Sequence, residues 1–266
     1  MRSRVAMVVM AAAVAVSCSV LTAGSGLAGV TNTPAAASRG SARIFALSCA
    51  SAGNCTAGGW YTDAAFRTQA FVVAEKNGTW GKAGPLPGLA SLNSGHDARV
   101  ESVSCASAGN CAAAGMYTGQ SGGNDFPQPF VAAKENGRWG KPKKLRGIPD
   151  TFIGDQISCP SAGNCFIYGT YEPNSATEDS YVVREMHGRW GRVTRLGVAI
   201  NSLSCWSGGN CAGGGNSTTG PVVIAEKNGR WGKPENVPGI KRVKGDNPLF
   251  GGPTVATVTC SSAGDC

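Results

Sequence analysis

The sequence predicts an all-β fold of tandem four-stranded repeats, arranged as a small, four- to five-bladed β-propeller-like domain. Two motifs recur together about every 50 residues, which is typical of propellers and other repeat architectures. The chain also contains 39 glycines in 266 residues, 15% charged residues and no long amphipathic helix pattern after residue 40. This composition suits many short strands joined by tight turns. A linear or sandwich-like array of hairpins is the alternative architecture.

Each repeat begins with two cysteines that enclose five residues. The motif reads LSCASAGNC from Leu47 and recurs from Val103, Ile157, Leu203 and Val258, where the last unit is incomplete. Ten cysteines in five identical pairs predict disulfides that each close a hairpin across its own turn. The spacing does not match common zinc motifs and no histidine accompanies a pair, so we expect neither metal nor cofactor. The predicted bridges are Cys49–Cys55, Cys105–Cys111, Cys159–Cys165, Cys205–Cys211 and Cys260–Cys266.

The second motif predicts another hairpin. It reads FVVAEKNGTWGK from Phe71 and recurs in the next three units. The dipeptide Asn77-Gly78 favours a type I′ turn because both central residues need positive φ. His187 replaces the asparagine in unit three, and histidine tolerates left-handed geometry, which indicates a structural role. The consecutive apolar residues before the turn predict strands that are buried on both faces between blades.

Residues that recur in every unit are interpreted as scaffold, because a single active site cannot use four equivalent positions. The motif tryptophans are therefore assigned to packing between strands. The glutamates that precede the turn are assigned to cross-strand pairing with a residue such as Lys82. These scaffold positions are Trp80, Trp139, Trp190, Trp231, Glu75, Glu185 and Glu226.

The N-terminus predicts export. Arg2 and Arg4 precede an apolar run from Val5 to about Leu21, and small residues follow, so residues 1–28 read as a signal peptide. Residues 29–41 are then a flexible N-terminal segment, residues 42–266 form the β-repeat domain, and no transmembrane segment remains. Lipidation of Cys18, which would tether the protein to the cell surface, is the alternative. The fifth unit either completes the ring or belongs to a longer repeat protein.

The two motifs, SCxSAGNCxAxG and FVVxEKNGxWGK, together resemble those of an uncharacterised family of exported tandem-repeat proteins from high-GC Gram-positive bacteria. The match runs from about Ala42 to Cys266. The resemblance implies an extracellular bacterial repeat protein, and it implies no catalytic residues.

Clustered basic residues and two unit-specific aromatics are the candidate binding residues. The net charge of +8 favours an anionic partner, but it is too small and scattered to imply nucleic acid. The basic clusters follow the second motif in units two and four, at places that a ring or stack would align into a positive band. Ordinary surface charge on edge strands is the alternative. The candidates are Lys141, Lys143, Lys144, Arg146, Lys241, Arg242, Lys244, Trp60 and Trp206.

The preferred functional hypothesis is non-enzymatic binding or adhesion to anionic cell-wall polymer or polysaccharide. It rests on repetition, export and the absence of any recognisable catalytic motif. The alternatives are a secreted carbohydrate-active enzyme, which would draw acids such as Glu172 and Glu178 from a unit-specific loop that also holds Asp179, and a purely structural envelope protein.

Overall fold

The computed structural model describes residues 40–121, 124–145, 147–148, 152–174, 177–240, 254–261 and 265–266. Several predictions fall outside these residues: the signal peptide, Cys18, nearly all of segment 29–41, and Arg146, Lys241, Arg242 and Lys244. Within the described residues, no helix has the length and hydrophobicity needed to cross a membrane.

Four units follow one another, and each contains four antiparallel strands that pair in chain order. Units 2 and 4 add a short fifth strand, Lys143–Lys144 or Glu235–Asn236, which pairs with the third strand of the unit beside the fourth. A 3₁₀ turn at Leu89–Ser91 lies between units 1 and 2. This arrangement confirms the predicted all-β fold of tandem four-stranded repeats.

The strands have the following bounds. Unit 1 contains β1 (Ala42–Ser51), β2 (Asn54–Thr62), β3 (Thr68–Lys76) and β4 (Thr79–Trp80). Unit 2 contains β5 (Ala98–Ser107), β6 (Asn110–Ser121), β7 (Asn124–Glu135), β8 (Arg138–Trp139) and β9 (Lys143–Lys144). Unit 3 contains β10 (Phe152–Ser161), β11 (Asn164–Asn174), β12 (Thr177–Met186) and β13 (Arg189–Arg195). Unit 4 contains β14 (Ala199–Ser207), β15 (Asn210–Ser217), β16 (Gly220–Lys227), β17 (Arg230–Trp231) and β18 (Glu235–Asn236).

The described part of the fifth unit lies against unit 4. The backbone N–H of Val255 donates to the carbonyl of Gly215 at 3.1 Å, and that of Val258 donates to the Ser202 hydroxyl at 2.9 Å. A Cβ on Gly214 would overlap the side chains of Val255 and Val258, so glycine is required there for close packing.

The five predicted disulfides are confirmed. Cys49 and Cys55 lie directly opposite each other on β1 and β2, and the other pairs repeat this six-residue separation. Each bridge therefore closes the first hairpin of its unit, or the start of the fifth unit, across its own turn.

The second hairpin has the predicted turn, and it is joined to the first hairpin. Asn77 and Gly78 have φ values of 50° and 79°, and His187 takes the same left-handed conformation at 49°. The N–H of Gly78 donates to the carbonyl of Gly53 in the first turn at 2.9 Å, and the same bond recurs in units 2 to 4. This bond explains why the two motifs occur together: each turn satisfies a backbone group of the other.

The interfaces between successive units are formed by buried apolar residues. Phe130, Val131 and Ala132 are each at most 1% exposed, which confirms the prediction that this consecutive run is buried on both faces. A Cβ on Gly58 of unit 1 would overlap Val100 of unit 2, so the second strand of one unit packs closely against the first strand of the next. The core is therefore a series of clusters between neighbouring sheets.

The glutamates before the turn differ from the sequence prediction. The residue opposite Glu75 is Trp80 rather than a lysine, and Glu226 lies opposite Trp231. Glu185 and Glu226 are buried, and Arg184 of the preceding unit lies 3.9 Å from Glu226. The neighbouring unit surrounds Glu185 and Glu226, and a prediction based on strand pairing within one hairpin does not include that unit.

Unit 1 has an open apolar face. Leu47 is 60% exposed, whereas Val103, Ile157 and Leu203 at the equivalent positions are each 7% exposed. Trp80 is also exposed, although the other motif tryptophans pack against buried clusters. These residues are exposed because no preceding unit covers this face within the described part of the chain.

Candidate functional site

A groove of about 520 Å³ lies between the outer parts of units 2 and 3. Trp139 of unit 2 and Trp190 of unit 3 are among its lining residues. Its charged lining residues are Arg138, Lys141, Lys143 and Glu135. The groove lining therefore includes two tryptophans, three cationic residues and one carboxylate.

The segment that follows Trp139 runs back beside β7 and places the basic residues near the tryptophans. The N–H of Gly140 donates to the carbonyl of Ala133 at 2.9 Å directly after Trp139. The segment then continues through Pro142 into β9, where Lys143 lies opposite Val131 of β7. Proline suits this edge position because it has no N–H to contribute to a ladder.

The two lysines of the groove are exposed, and one is held at its ammonium group and the other along its stem. Nζ of Lys143 donates to the carbonyl of Gly188 in the turn of unit 3 at 3.4 Å. The stem of Lys141 passes over Gly88, where a Cβ would lie 3.4 Å from its Cγ. Contacts along an aliphatic stem orient a lysine while its ammonium stays in water.

The two tryptophans are half-buried, and they pack against different clusters. Trp139 packs against the cluster between units 1 and 2, and Trp190 packs against the cluster between units 2 and 3. Nζ of Lys134 lies 5.9 Å from the centre of the Trp139 ring. This packing fixes the orientation of each indole and leaves part of its surface available to a ligand.

Two buried charged residues, Glu185 and Lys134, lie near residues that line the groove. Burial raises the pKa of Glu185, the charge of Lys143 opposes this rise, and the charge of Glu135 adds to it. Burial also lowers the pKa of Lys134, whose Nζ lies 3.5 Å from the Thr56 hydroxyl. Lys143 therefore lines the groove and also opposes the rise in the pKa of a buried carboxyl group.

The predicted binding residues are only partly brought together. Lys141 and Lys143 line the groove, whereas Lys144 lies opposite Phe130 and is not part of the lining. Trp60 lies in β2 of unit 1 and Trp206 in β14 of unit 4, away from the groove. Trp139 and Trp190 recur in the motif and are predicted as scaffold, and Arg138 is not among the predicted binding residues.

The acids considered for an enzyme lie on strands, not in a loop as the sequence suggested. Glu172 belongs to β11, and Glu178 and Asp179 belong to β12. The Asp179 carboxylate accepts hydrogen bonds from the Tyr171 hydroxyl and from the backbone N–H groups of Ser180 and Val198, at 2.7, 2.7 and 2.9 Å. Asp179 therefore joins β12 to the start of unit 4, which is a structural role.

Among the residues that the structure describes, no three or more histidine, cysteine, aspartate or glutamate side chains form a group able to hold a metal ion.

No protein-family model and no curated protein matches the chain. Solved structures do match. A neuraminidase-like protein from A/bat/Guatemala/164/2009 is 11% identical, with 72% of this chain and 53% of that chain covered and a TM-score of 0.40. The subtype N11 neuraminidase-like protein of A/flat-faced bat/Peru/033/2010 is 12% identical, with coverages of 73% and 53% and a TM-score of 0.42. The Hadza microbial sialidase Hz136 is 12% identical, with coverages of 76% and 59% and a TM-score of 0.33. The chain spans little more than half the length of these proteins, and identity this low says nothing about the residues of the groove.

Proposed function

We propose that this protein is a secreted or cell-surface protein that binds anionic cell-wall polymer or acidic polysaccharide without catalysis. The observation that carries the proposal is the groove in which Trp139 and Trp190 lie beside Arg138, Lys141 and Lys143. Indole rings stack on the apolar faces of sugar rings, and fixed cations pair with the carboxylates or phosphates along such a polymer.

The shape and charge of the groove fit an extended ligand. The two tryptophans come from successive units, so a ligand that contacts both would cross the boundary between the units. Arg138 presents a planar guanidinium, which can bind a carboxylate or phosphate in a bidentate way, and the lysines supply exposed point charges. A polymer with repeated negative charge would contact both units at once.

The extracellular location is part of the proposal. The five disulfides support it, because such bridges persist in oxidising compartments. The basic and apolar N-terminus and the resemblance of the motifs to exported bacterial repeat proteins support it further.

The first experiment measures retention of the purified chain on polygalacturonate, teichoic acid and neutral glucan at low and high salt. We expect retention on the two anionic polymers that weakens as salt rises, and little retention on the glucan. Retention on neutral glucan that does not respond to salt would contradict the electrostatic part of the proposal. Absence of retention on every polymer would contradict the binding function and leave a structural role.

A matched pair of tryptophan variants tests the aromatic part. Trp190→Leu removes an indole from the groove, whereas Trp231→Leu changes the same motif position in unit 4, outside the groove. We expect Trp190→Leu to weaken binding of polygalacturonate about fivefold and Trp231→Leu to leave it unchanged. Equal effects of the two variants would show that the indole does not contact the polymer.

A further inference from the structure

Thr56 of unit 1 and Lys134 of unit 2 are buried polar residues that meet beside one disulfide. The Thr56 hydroxyl lies 3.3 Å from Sγ of Cys111, and Nζ of Lys134 lies 3.5 Å from the same hydroxyl. A disulfide sulfur carries no proton and a lysine amine has only protons to offer, so Lys134 donates to the hydroxyl and the hydroxyl donates to the sulfur. Thr56 is 1% exposed and Lys134 is 7% exposed, so this chain of hydrogen bonds lies largely out of water.

Lys134 departs from the repeat. It stands two positions before the second turn, where units 1, 3 and 4 have glutamate. In the strand pairing of unit 2 it lies opposite Cys111, just as Glu226 lies opposite Cys211 in unit 4. Among the four units, unit 2 is therefore the one in which a cation replaces the carboxylate of the repeat.

Thr56 also departs from the repeat. It directly follows the second cysteine of unit 1, a position that holds alanine in units 2 and 4 and phenylalanine in unit 3. Ala112 and Phe166, at this position in units 2 and 3, share buried clusters with the second cysteine of the next unit, and neither side chain can donate a hydrogen bond. Two exceptions to the repeat, one from each unit, therefore coincide at a single disulfide, Cys105–Cys111.

A positive charge and a hydroxyl donor beside one sulfur favour its thiolate form. Thiol–disulfide exchange is faster when the departing sulfur leaves as a stabilised thiolate. Cys111 is the sulfur that the hydrogen bonds reach, and Cys105 is the less buried of the two cysteines. Burial lowers the pKa of Lys134, and a thiolate beside this lysine would favour its charged form. An incoming thiolate therefore has better access to Cys105, and Cys111 is the better leaving group.

We propose that the Cys105–Cys111 bridge is a site of thiol–disulfide exchange with a dithiol reductant, separate from polymer binding in the groove. A thiolate of the reductant attacks Sγ of Cys105 and forms a mixed disulfide, and the electron pair of the broken S–S bond leaves on Cys111. Thr56 and Lys134 stabilise that thiolate. The second thiol of the reductant then attacks the mixed disulfide and releases Cys105. Two electrons and two protons thus pass from the dithiol, which becomes a disulfide, to the bridge, which becomes two thiols.

The bridges of units 3 and 4 are internal controls. Their second cysteines are buried like Cys111. In unit 4 the buried carboxyl group of Glu226 lies opposite Cys211, and the guanidinium of Arg184 lies 3.9 Å from that carboxyl group. A carboxylate beside a cysteine disfavours its thiolate, so these bridges lack the feature that favours exchange in unit 2.

Reduction rates of the individual bridges in the folded, purified chain test the proposal. Dithiothreitol is the dithiol, cysteines freed at successive times are trapped with N-ethylmaleimide, and mass spectrometry of the peptides counts them. We expect Cys105–Cys111 to be reduced about tenfold faster than Cys159–Cys165 and Cys205–Cys211. Lys134→Met removes the charge, keeps an unbranched stem and should slow reduction of Cys105–Cys111 about tenfold, and Thr56→Val should slow it about threefold.

Lys227→Met, at an exposed position of the same motif in unit 4, is the control and should leave all these rates unchanged. A variant that only loosened the fold would expose the bridge and speed its reduction, so slower reduction cannot come from destabilisation. Equal rates for the three bridges in the wild type, or a rate at Cys105–Cys111 that Lys134→Met does not lower, would overturn the proposal. Polymer retention is measured with the disulfides intact, so the two proposals fail independently.

Discussion

The side-chain hydroxyl of Ser48 accepts a hydrogen bond of 2.9 Å from the backbone N–H of Cys105 in the next unit. The same bond joins Ser104 to Cys159, Ser158 to Cys205 and Ser204 to Cys260, at 2.9, 3.3 and 3.0 Å. The serine before each first cysteine thus connects its unit to the disulfide-bonded hairpin of the next. Stability in such an array is a sum over units and the interfaces between neighbours.

Removing one of these hydroxyls is expected to weaken one interface. Ser104→Ala leaves the N–H of buried Cys159 without its acceptor, which should lower the free energy of unfolding by about 1 kcal/mol. Urea denaturation followed by circular dichroism measures the change. Ser94→Ala, at an exposed loop position, is the control and should leave the unfolding curve unchanged. Similar losses in both variants would contradict a specific role for the bond.

The open face of unit 1 allows two equivalent leucines to be compared, one exposed in unit 1 and one buried in unit 4. Leu203→Ala removes a side chain that is 7% exposed and should cost about 3 kcal/mol of unfolding free energy. Leu47→Ala removes the equivalent side chain, which is 60% exposed, and should cost less than about 0.5 kcal/mol. Chemical denaturation of both variants checks the difference. A cost at Leu47 as large as that at Leu203 would show that this face is covered in solution.

Burial of Glu185 predicts a pH dependence of stability. Its folded-state pKa is raised by burial, so the folded state binds the proton more tightly than the unfolded state does. The stability from this group is present at low pH and is lost as the pH rises through the raised pKa. Glutamine does not ionise, so the Glu185→Gln variant does not lose this stability. The Tm of the variant minus that of the wild type should therefore increase from pH 4 to pH 7.

The control for this prediction is Glu75→Gln, at the equivalent but only half-buried position of unit 1. The Tm difference between this variant and the wild type should change less over the same pH range. If the Tm difference between Glu185→Gln and the wild type did not change with pH, this would contradict the buried position of that carboxyl group.

The features predictable from the sequence are those that depend on neighbouring residues. Asn77-Gly78 requires a particular turn wherever it occurs between strands, and Cys49 and Cys55 are close enough in sequence to meet across one hairpin. The features that could not be predicted join different units. Trp139 and Trp190 line one groove because unit 3 packs on unit 2, whereas their recurrence in every unit predicts only a scaffold role. The β-bulge between Ile44 and Ala46 in β1 depends on strand register, which the residue types do not reveal.

The most direct test of the proposed function compares two double variants that remove the same charge. Lys141→Ser/Lys143→Ser alters the groove, and Lys76→Ser/Lys227→Ser alters exposed lysines beside the second turns of units 1 and 4. Affinity for polygalacturonate is measured for both and for the wild type over a series of salt concentrations. The groove variant should bind about five- to tenfold more weakly at low salt, with a shallower salt dependence, and the control should bind like the wild type. Equal weakening in both variants would show that net charge and not the groove attracts the polymer, and would contradict the proposal.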